Sequence, residues 1–214
     1  MKKLALLIIG LGISSSVFAD DLTTVSVTAQ DCDNGSPCYV IKSSANTLSQ
    51  AINQHLTNQQ AQTMIQNGII PQIDFTLMTR YAMGNNWKQA SSDQQAKIVD
   101  LFKQMLVNSY SSALSKFKGA QVAITSSKIG DRPNKAIVNS TITMDSDNAK
   151  NQPINVEYDL AKIGSAWKIY DVKIENASIV ATYRNQFNDI VQKSGIDGLI
   201  SQLQTKVNNI KPAK

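Results

Sequence analysis

The sequence predicts an α+β fold. Apolar residues recur at helical spacing up to Leu114, the spacing changes to strict alternation after Gly119, and helical spacing returns from Val180. Helices before and after a block of strands are typical of an α+β architecture rather than of alternating strand–helix units. We therefore expect four antiparallel strands with one apolar face, and a helix that covers this face.

An export signal is the first element, predicted over residues 1–19. Two lysines precede an apolar run over residues 4–13, and a serine-rich stretch then leads to Ala19. This order is that of a cleavable secretory signal with its cut after Ala19. A membrane anchor needs about 20 apolar residues, and neither this run nor any later segment reaches that length. We expect a soluble mature protein, beginning at about Asp20, that works outside the cytoplasm.

Charge and motif content argue against several function classes. Loss of the signal lowers the net charge from +5 to +3, and no run of basic residues points to nucleic acid. His55 is the single histidine and has no cysteine or acidic residue at ligand spacing, so we interpret it as a surface or capping residue. Motifs of hydrolases, zinc proteases and phosphate-binding loops are not found. We predict no catalytic residue, no metal site and no cofactor.

Cys32 and Cys38 bracket a segment of turn-forming residues. An oxidising compartment favours a disulfide between them, and so short a loop contributes only about 2 kcal/mol. A redox pair is the alternative, but the spacing is not that of a C-x-x-C motif. We place both cysteines in an N-terminal extension over residues 20–44.

Helices ahead of the strands are predicted from their start and stop signals. Asp74 is placed to cap a helix that ends at Gly84, and Ser91 with Gln94 matches a capping box. The helix that follows Ser91 has a long apolar stripe, which makes it the candidate cover for the sheet. The predicted helices span residues 45–56, 59–67, 75–83 and 91–114, and the stripe consists of Ile98, Leu101, Phe102, Met105 and Leu106.

The strands are predicted from alternation, over residues 121–129, 135–144, 154–160 and 167–174. Residues 162–165 suit a hairpin turn between the last two strands. The final helical region has apolar residues on one side, breaks at Gly195, and resumes where Asp197 can cap the next turn.

Two groups of residues are more specific than these patterns. The first is Ile69-Ile70-Pro71-Gln72-Ile73-Asp74-Phe75, Met78, Ala82-Met83-Gly84, Trp87, the Ser91 to Gln95 segment, Phe102 and Tyr110-Ser111-Ser112-Ala113-Leu114. The second is Trp167-Lys168-Ile169-Tyr170-Asp171-Val172, Ser178, Thr182-Tyr183-Arg184-Asn185-Gln186-Phe187 and Gly195-Ile196-Asp197-Gly198-Leu199-Ile200. In this order and spacing, over about residues 45–206, the chain resembles the MlaC family of periplasmic phospholipid-binding proteins, also described as toluene-tolerance auxiliary proteins.

The resemblance implies a helical subdomain on a strongly curved, NTF2-like sheet, with an apolar pocket for lipid tails between them. It implies a single lipid-binding domain over residues 45–208, followed by a short tail over residues 209–214. It also implies a periplasmic carrier whose bound phospholipid is cargo rather than a cofactor. Such a carrier moves lipid between an outer-membrane lipoprotein–porin complex and an inner-membrane ABC transporter with an MCE-domain subunit, which maintains outer-membrane lipid asymmetry. We expect a monomer. A periplasmic adaptor that uses the extension, or an NTF2-like enzyme, is the alternative.

The lipid-binding residues are predicted from the apolar faces. Pocket walls and ordinary cores share the same composition, so each of these residues is equally suited to a core. The helical wall would consist of Ile70, Phe75, Met78, Met83, Phe102, Met105, Leu106 and Tyr110. The sheet wall would consist of Val138, Ile142, Val156, Tyr158, Tyr170, Val172 and Ile174. Tyr183 and Phe187 would close the pocket.

Overall fold

The computed structural model describes residues 27–28, 32–53, 58–114, 120–144 and 152–209. The predicted export signal, His55 and residues 210–214 lie outside these ranges. No helix within the described ranges has both the length and the apolar character needed to cross a bilayer.

The helices ahead of the sheet follow the predicted start signals closely. The Asp74 side chain accepts the Leu77 N–H at 2.8 Å, and Ser91 and Gln94 form the capping box with bonds of 3.0 and 3.2 Å. The first predicted helix is wrong at its start, because the helix already begins at Pro37. The elements are α1 (Pro37–Asn53), α2 (Asn58–Gly68), a 3-10 turn (Ile70–Gln72), α3 (Phe75–Met83), a second 3-10 turn (Gly84–Gln89) and α4 (Ser92–Leu114).

The described sheet has six strands rather than the predicted four. Two long hairpins lie at the predicted positions, and a two-residue strand extends the sheet at each edge, too short to show any alternation. The strands follow chain order, with a parallel first pair and antiparallel pairs thereafter. They are β1 (Val27–Thr28), β2 (Gln121–Ile129), β3 (Lys135–Thr143), β4 (Ile154–Ile163), β5 (Ala166–Ile174) and β6 (Ala177–Ser178). The NTF2-like form stays a prediction.

The last helix, α5 (Ile179–Asn209), is interrupted at Gly195, as predicted. Gly195 has φ 68° and ψ −175°, a combination that only glycine adopts readily. The Asp197 carboxylate after the break accepts the Gln94 side-chain amide at 2.7 Å. This bond ties the second half of α5 to the start of α4.

Two large apolar cores and one small cluster are found in the described residues, and the two large cores correct one prediction. The stripe of α4 packs against α3 and α5 in a helical core that includes Phe102 and Phe187. The sheet face is covered instead by α1, whose Val40 and Ile41 pack against Val138 and neighbouring strand residues. The expectation that α4 covers the sheet is therefore wrong, since the helical layer supplies its own partners for that stripe.

The disulfide between Cys32 and Cys38 belongs to the sheet core. The two Cα atoms are 5.4 Å apart, and the residues are only 8% and 4% exposed. Cys38 lies in the first turn of α1, so the bond closes the loop that leads into this helix, and both cysteines pack in the sheet core. The predicted boundary between extension and domain, at residues 44 and 45, falls inside α1.

Candidate functional site

A cavity of about 300 Å³ lies between the helical core and the sheet core. Its volume is at the lower end of the range for small-ligand sites. Almost every wall is aliphatic, and no charged side chain is among the described residues that line it. The lining is Ile41, Ser44, Ala45, Leu48, Ile65, Ile69, Ile70, Ile73, Phe75, Met78, Leu106, Val107, Val122, Ile142, Tyr158, Ile169, Val172 and Ile179.

Helix α1 contributes one complete wall of the cavity. Ile41, Ser44, Ala45 and Leu48 stand at positions i, i+3, i+4 and i+7, which places them on one helical face. All four line the cavity. Sequence reasoning missed this wall because residues up to 44 were assigned to an extension. The signal was present, because the same spacing continues upstream of residue 45.

Part of the predicted binding set meets at this cavity. The helical elements bring Ile70, Phe75, Met78 and Leu106, and the strands bring Ile142, Tyr158 and Val172. The hydrogen bond from the Asp74 N–H to the Ile169 carbonyl, 2.8 Å long, fixes the start of α3 to strand β5. This contact sets Phe75 and Met78 opposite the sheet. As lipid-contacting residues they remain a proposal.

The other predicted residues whose side chains are described lie away from the cavity. Ring contacts join Phe102 to Tyr183 and to Phe187, with centroids 4.8 and 5.1 Å apart, inside the helical layer. Met83 and Met105 belong to the same core, and Val138 belongs to the sheet core. Val156 is buried outside the cavity, and Ile174 is 42% exposed. Tyr110 lies in α4, and its side chain is outside the described part of the chain.

A β-bulge in β5 explains why Tyr170 does not line the cavity. Asp171 pairs with Asp159, whereas Ile169 pairs with Leu160, so Tyr170 is left without a partner on β4. An extra residue changes the phase of the alternation. Ile169 and Val172 consequently both line the cavity, and Tyr170 is not among the lining residues. A count in steps of two from Val172 selects Tyr170 and misses Ile169.

Tyr170 instead packs between α3 and β3. Its ring centroid is 5.2 Å from that of Tyr81, and the Lys135 ammonium lies 3.8 Å from its centroid. Burial, followed by the nearby Asp159 charge, raises the pKa of the Tyr170 phenol to about 12. The ring therefore stays neutral in the folded protein well beyond the pH at which a free tyrosine ionises.

This shift predicts a loss of stability in alkali that depends on Tyr170. Unfolded tyrosine releases its proton near pH 10, whereas the folded protein holds it until about pH 12. Between these values the folded state binds more protons, so the free energy of unfolding falls as the pH rises. We expect Tyr170→Phe to lose less stability than the parent protein in this window, as measured by urea unfolding at pH 8, 10 and 11. Equal losses in both proteins would contradict the assignment.

Charged groups lie on the outer face of the sheet. Lys173 forms ion pairs with Glu157 and, at 3.1 Å, with Asp159. Burial raises the pKa of Asp159, although the hydrogen bond from Lys173 opposes the shift. Burial lowers the pKa of Lys173, but its bonds to the two carboxylates outweigh this effect and raise it overall. The cluster is satisfied within the sheet and does not face the cavity.

The geometry suits an apolar ligand held by dispersion and exclusion of water. In the described residues, no group of three or more His, Cys, Asp or Glu side chains is arranged to hold a metal ion. Among the described lining residues, Ser44 and Tyr158 carry hydroxyl groups, and the others have apolar side chains. Transfer of apolar surface into such a site contributes about 25 cal/mol per Å².

Comparison with known proteins agrees with this arrangement. A structure of the phospholipid-binding protein from Ralstonia solanacearum, in complex with a phospholipid, superposes with a TM-score of 0.71 at 27% identity and covers 82% of this chain and 98% of that one. The intermembrane phospholipid transport system binding protein MlaC of Haemophilus influenzae is 25% identical over 191 residues, or 86% of this chain and 87% of its own length.

A further relative is the toluene tolerance protein ttg2D of Pseudomonas putida. It is 28% identical over 110 residues, which cover 51% of this chain and 49% of that protein. The family model described as MlaC protein matches residues 42–205. This match begins inside α1, ends inside α5, and includes helices α2 to α4 and strands β2 to β6. The chain therefore belongs to the MlaC family.

Proposed function

We propose that this protein is a periplasmic phospholipid carrier. The observation that supports this proposal is the cavity between the two cores, whose described lining has no charge and only two hydroxyl groups. The Haemophilus relative is named as the binding protein of an intermembrane phospholipid transport system, and the Ralstonia structure is a phospholipid complex. The same role on this chain accounts for an apolar cavity without catalytic groups.

A carrier lowers a large barrier to lipid transfer through water. Each methylene exposed to water costs about 0.8 kcal/mol. Transfer of a diacyl lipid with roughly thirty methylenes through an aqueous space without a carrier would therefore cost on the order of 20 kcal/mol of free energy. A cavity that keeps even part of the tails dry removes a corresponding part of this cost.

The headgroup stays outside the cavity in this proposal. A phosphate buried without a charged partner is strongly unfavourable, and the described cavity wall has no Lys or Arg. The protein then binds lipid mainly by its tails. We expect little discrimination between phospholipid headgroups for this reason.

The exchange partners belong to the same proposal. Export by the signal over residues 1–19 places a monomeric carrier in the periplasm. Lipid would pass between an outer-membrane lipoprotein–porin complex and an inner-membrane ABC transporter with an MCE-domain subunit, and this transfer would maintain outer-membrane lipid asymmetry. No observation favours the adaptor or the NTF2-like enzyme over this role.

Native mass spectrometry tests the carrier function directly. Protein purified from cells without detergent is expected to carry adducts with phospholipid masses, and extraction with organic solvent should release more than one headgroup class. A protein found only at its polypeptide mass, or with a ligand that is not a lipid, would contradict the proposal. Reloading of the stripped protein from phospholipid vesicles is the accompanying control.

A further inference from the structure

The hydroxyl of Ser44 is exceptional in the cavity wall. Ser44 lies on α1 between Ile41 and Leu48, within the stripe that lines the cavity. Its Oγ atom is buried and has no hydrogen-bond partner among the described residues. A serine in a helix can instead bond back to the carbonyl four residues earlier. Thr47, one turn along the same helix, does so with the Ser43 carbonyl at 3.0 Å.

An unpaired buried hydroxyl is unfavourable, so alanine would suit a purely apolar wall better than serine. An acceptor on a bound ligand would satisfy this hydroxyl. Because no charged side chain is found among the described lining residues, an uncharged acceptor is favoured over a phosphate or a carboxylate.

Tyr158 supplies a second hydroxyl to the same cavity, from strand β4. Its oxygen accepts a long bond of 3.5 Å from the Ser140 hydroxyl, which leaves the phenolic proton available to donate. Burial raises the pKa of Tyr158, although the bond from Ser140 opposes the shift. The phenol therefore remains a neutral donor under physiological conditions.

We propose that the Ser44 hydroxyl binds an ester carbonyl of the phospholipid cargo, with Tyr158 as a second donor to the ester region. This inference rests on the proposed carrier function. Ester carbonyls are the uncharged acceptors that lie nearest to the tails in a diacyl phospholipid. A hydrogen bond at this point sets how deeply the tails enter, and it selects ester-linked lipids over ether-linked lipids that lack the carbonyl.

Competitive loading tests the selection. Stripped protein is mixed with vesicles that contain equal amounts of dipalmitoyl phosphatidylcholine and its dihexadecyl ether analogue, and native mass spectrometry gives the ratio of the two complexes. The parent protein is expected to favour the ester lipid by about fivefold, the effect of one hydrogen bond. Ser44→Ala should lower the ratio most, Tyr158→Phe should lower it in part, and the double variant should bring it close to one. Ser43→Ala is the matched control and should keep the parent ratio.

Equal loading of the two lipids by the parent protein would overturn the inference and leave the carrier function intact. An unchanged parent ratio in Ser44→Ala would overturn it as well, whereas failure to load either lipid would contradict the carrier function itself. Thermal unfolding of the empty protein separates a binding role from a structural one. Ser44→Ala should unfold at the same or a higher temperature, since it removes an unpaired hydroxyl, and a clear decrease would indicate a structural role.

Discussion

Replacement of Val107 by tryptophan is expected to empty the protein of phospholipid without unfolding it. Val107 lies on α4, is half-buried and lines the cavity. An indole at this position occupies space that is unfilled in the parent protein, so few packed atoms need to move. The indole then fills cavity space that the lipid tails would otherwise occupy. We expect the loaded fraction after purification to fall about tenfold or more.

Native mass spectrometry of the purified Val107→Trp protein measures this loss. Gln104→Trp is the matched control, because residue 104 lies one turn away on the same helix and is exposed. The control should carry as much phospholipid as the parent protein. Thermal unfolding of Val107→Trp should occur at the same or a higher temperature than that of the stripped parent. A fully loaded Val107→Trp protein would show that the lipid binds elsewhere.

Removal of the Asp171 carboxylate is expected to cause the largest loss of stability. One oxygen of Asp171 accepts the backbone N–H groups of Val172 and Val180 at 2.8 and 3.0 Å. The other accepts the Ser178 hydroxyl at 2.5 Å. Ser178 Oγ in turn accepts the Ala181 N–H at 2.9 Å. Asp171 therefore joins strand β5 to the first turn of α5, and it is only 5% exposed.

Asp171→Ala leaves the buried Val180 N–H without a partner and releases the start of α5. Bonds to a charged group contribute about 1.5–3 kcal/mol each, and an unsatisfied buried donor adds its own cost. We expect the free energy of unfolding to fall by about 3 kcal/mol. Lipid loading should fall too, because Ile179, the first residue of α5, lines the cavity.

Urea unfolding at neutral pH measures the effect of Asp171→Ala. Asp171→Asn keeps the shape and the acceptor oxygen, so its loss should be smaller. Asp197→Ala is the control. It removes a carboxylate that lies within α5 and whose bond to Gln94 is exposed. Its loss should change the free energy of unfolding by less than about 1 kcal/mol. A change of similar size in all three variants would show that Asp171 has no special part in holding α5.

Local signals in the sequence account for most of the element boundaries. The Asp74 cap, the Ser91 and Gln94 capping box, and the break at Gly195 are all present in the structure. Each depends on hydrogen bonds or backbone angles within a few residues, which a single segment of sequence can specify. The four long strands followed from alternation for the same reason.

The choice between cavity wall and core could not be made in this way. Met78 lines the cavity, whereas Met83, on the same helix, is buried in the helical core. Both are apolar residues on an amphipathic helix, and burial leaves the same pattern whether the neighbour is protein or empty space. The bulge at Tyr170 could not be predicted from one segment either, because it is visible only in the pairing of β5 with β4.

The sequence by itself determined the α+β class, the helix caps and the positions of the four long strands. Through two groups of specific residues it also determined the family. These properties depend on local physics or on matching residues in order. Only the tertiary structure decided that α1 rather than α4 covers the sheet, that Ile169 rather than Tyr170 lines the cavity, and that the Ser44 hydroxyl is left unpaired there. Each of these outcomes depends on which apolar surfaces meet across long sequence separations, and several pairings satisfy the same pattern of burial.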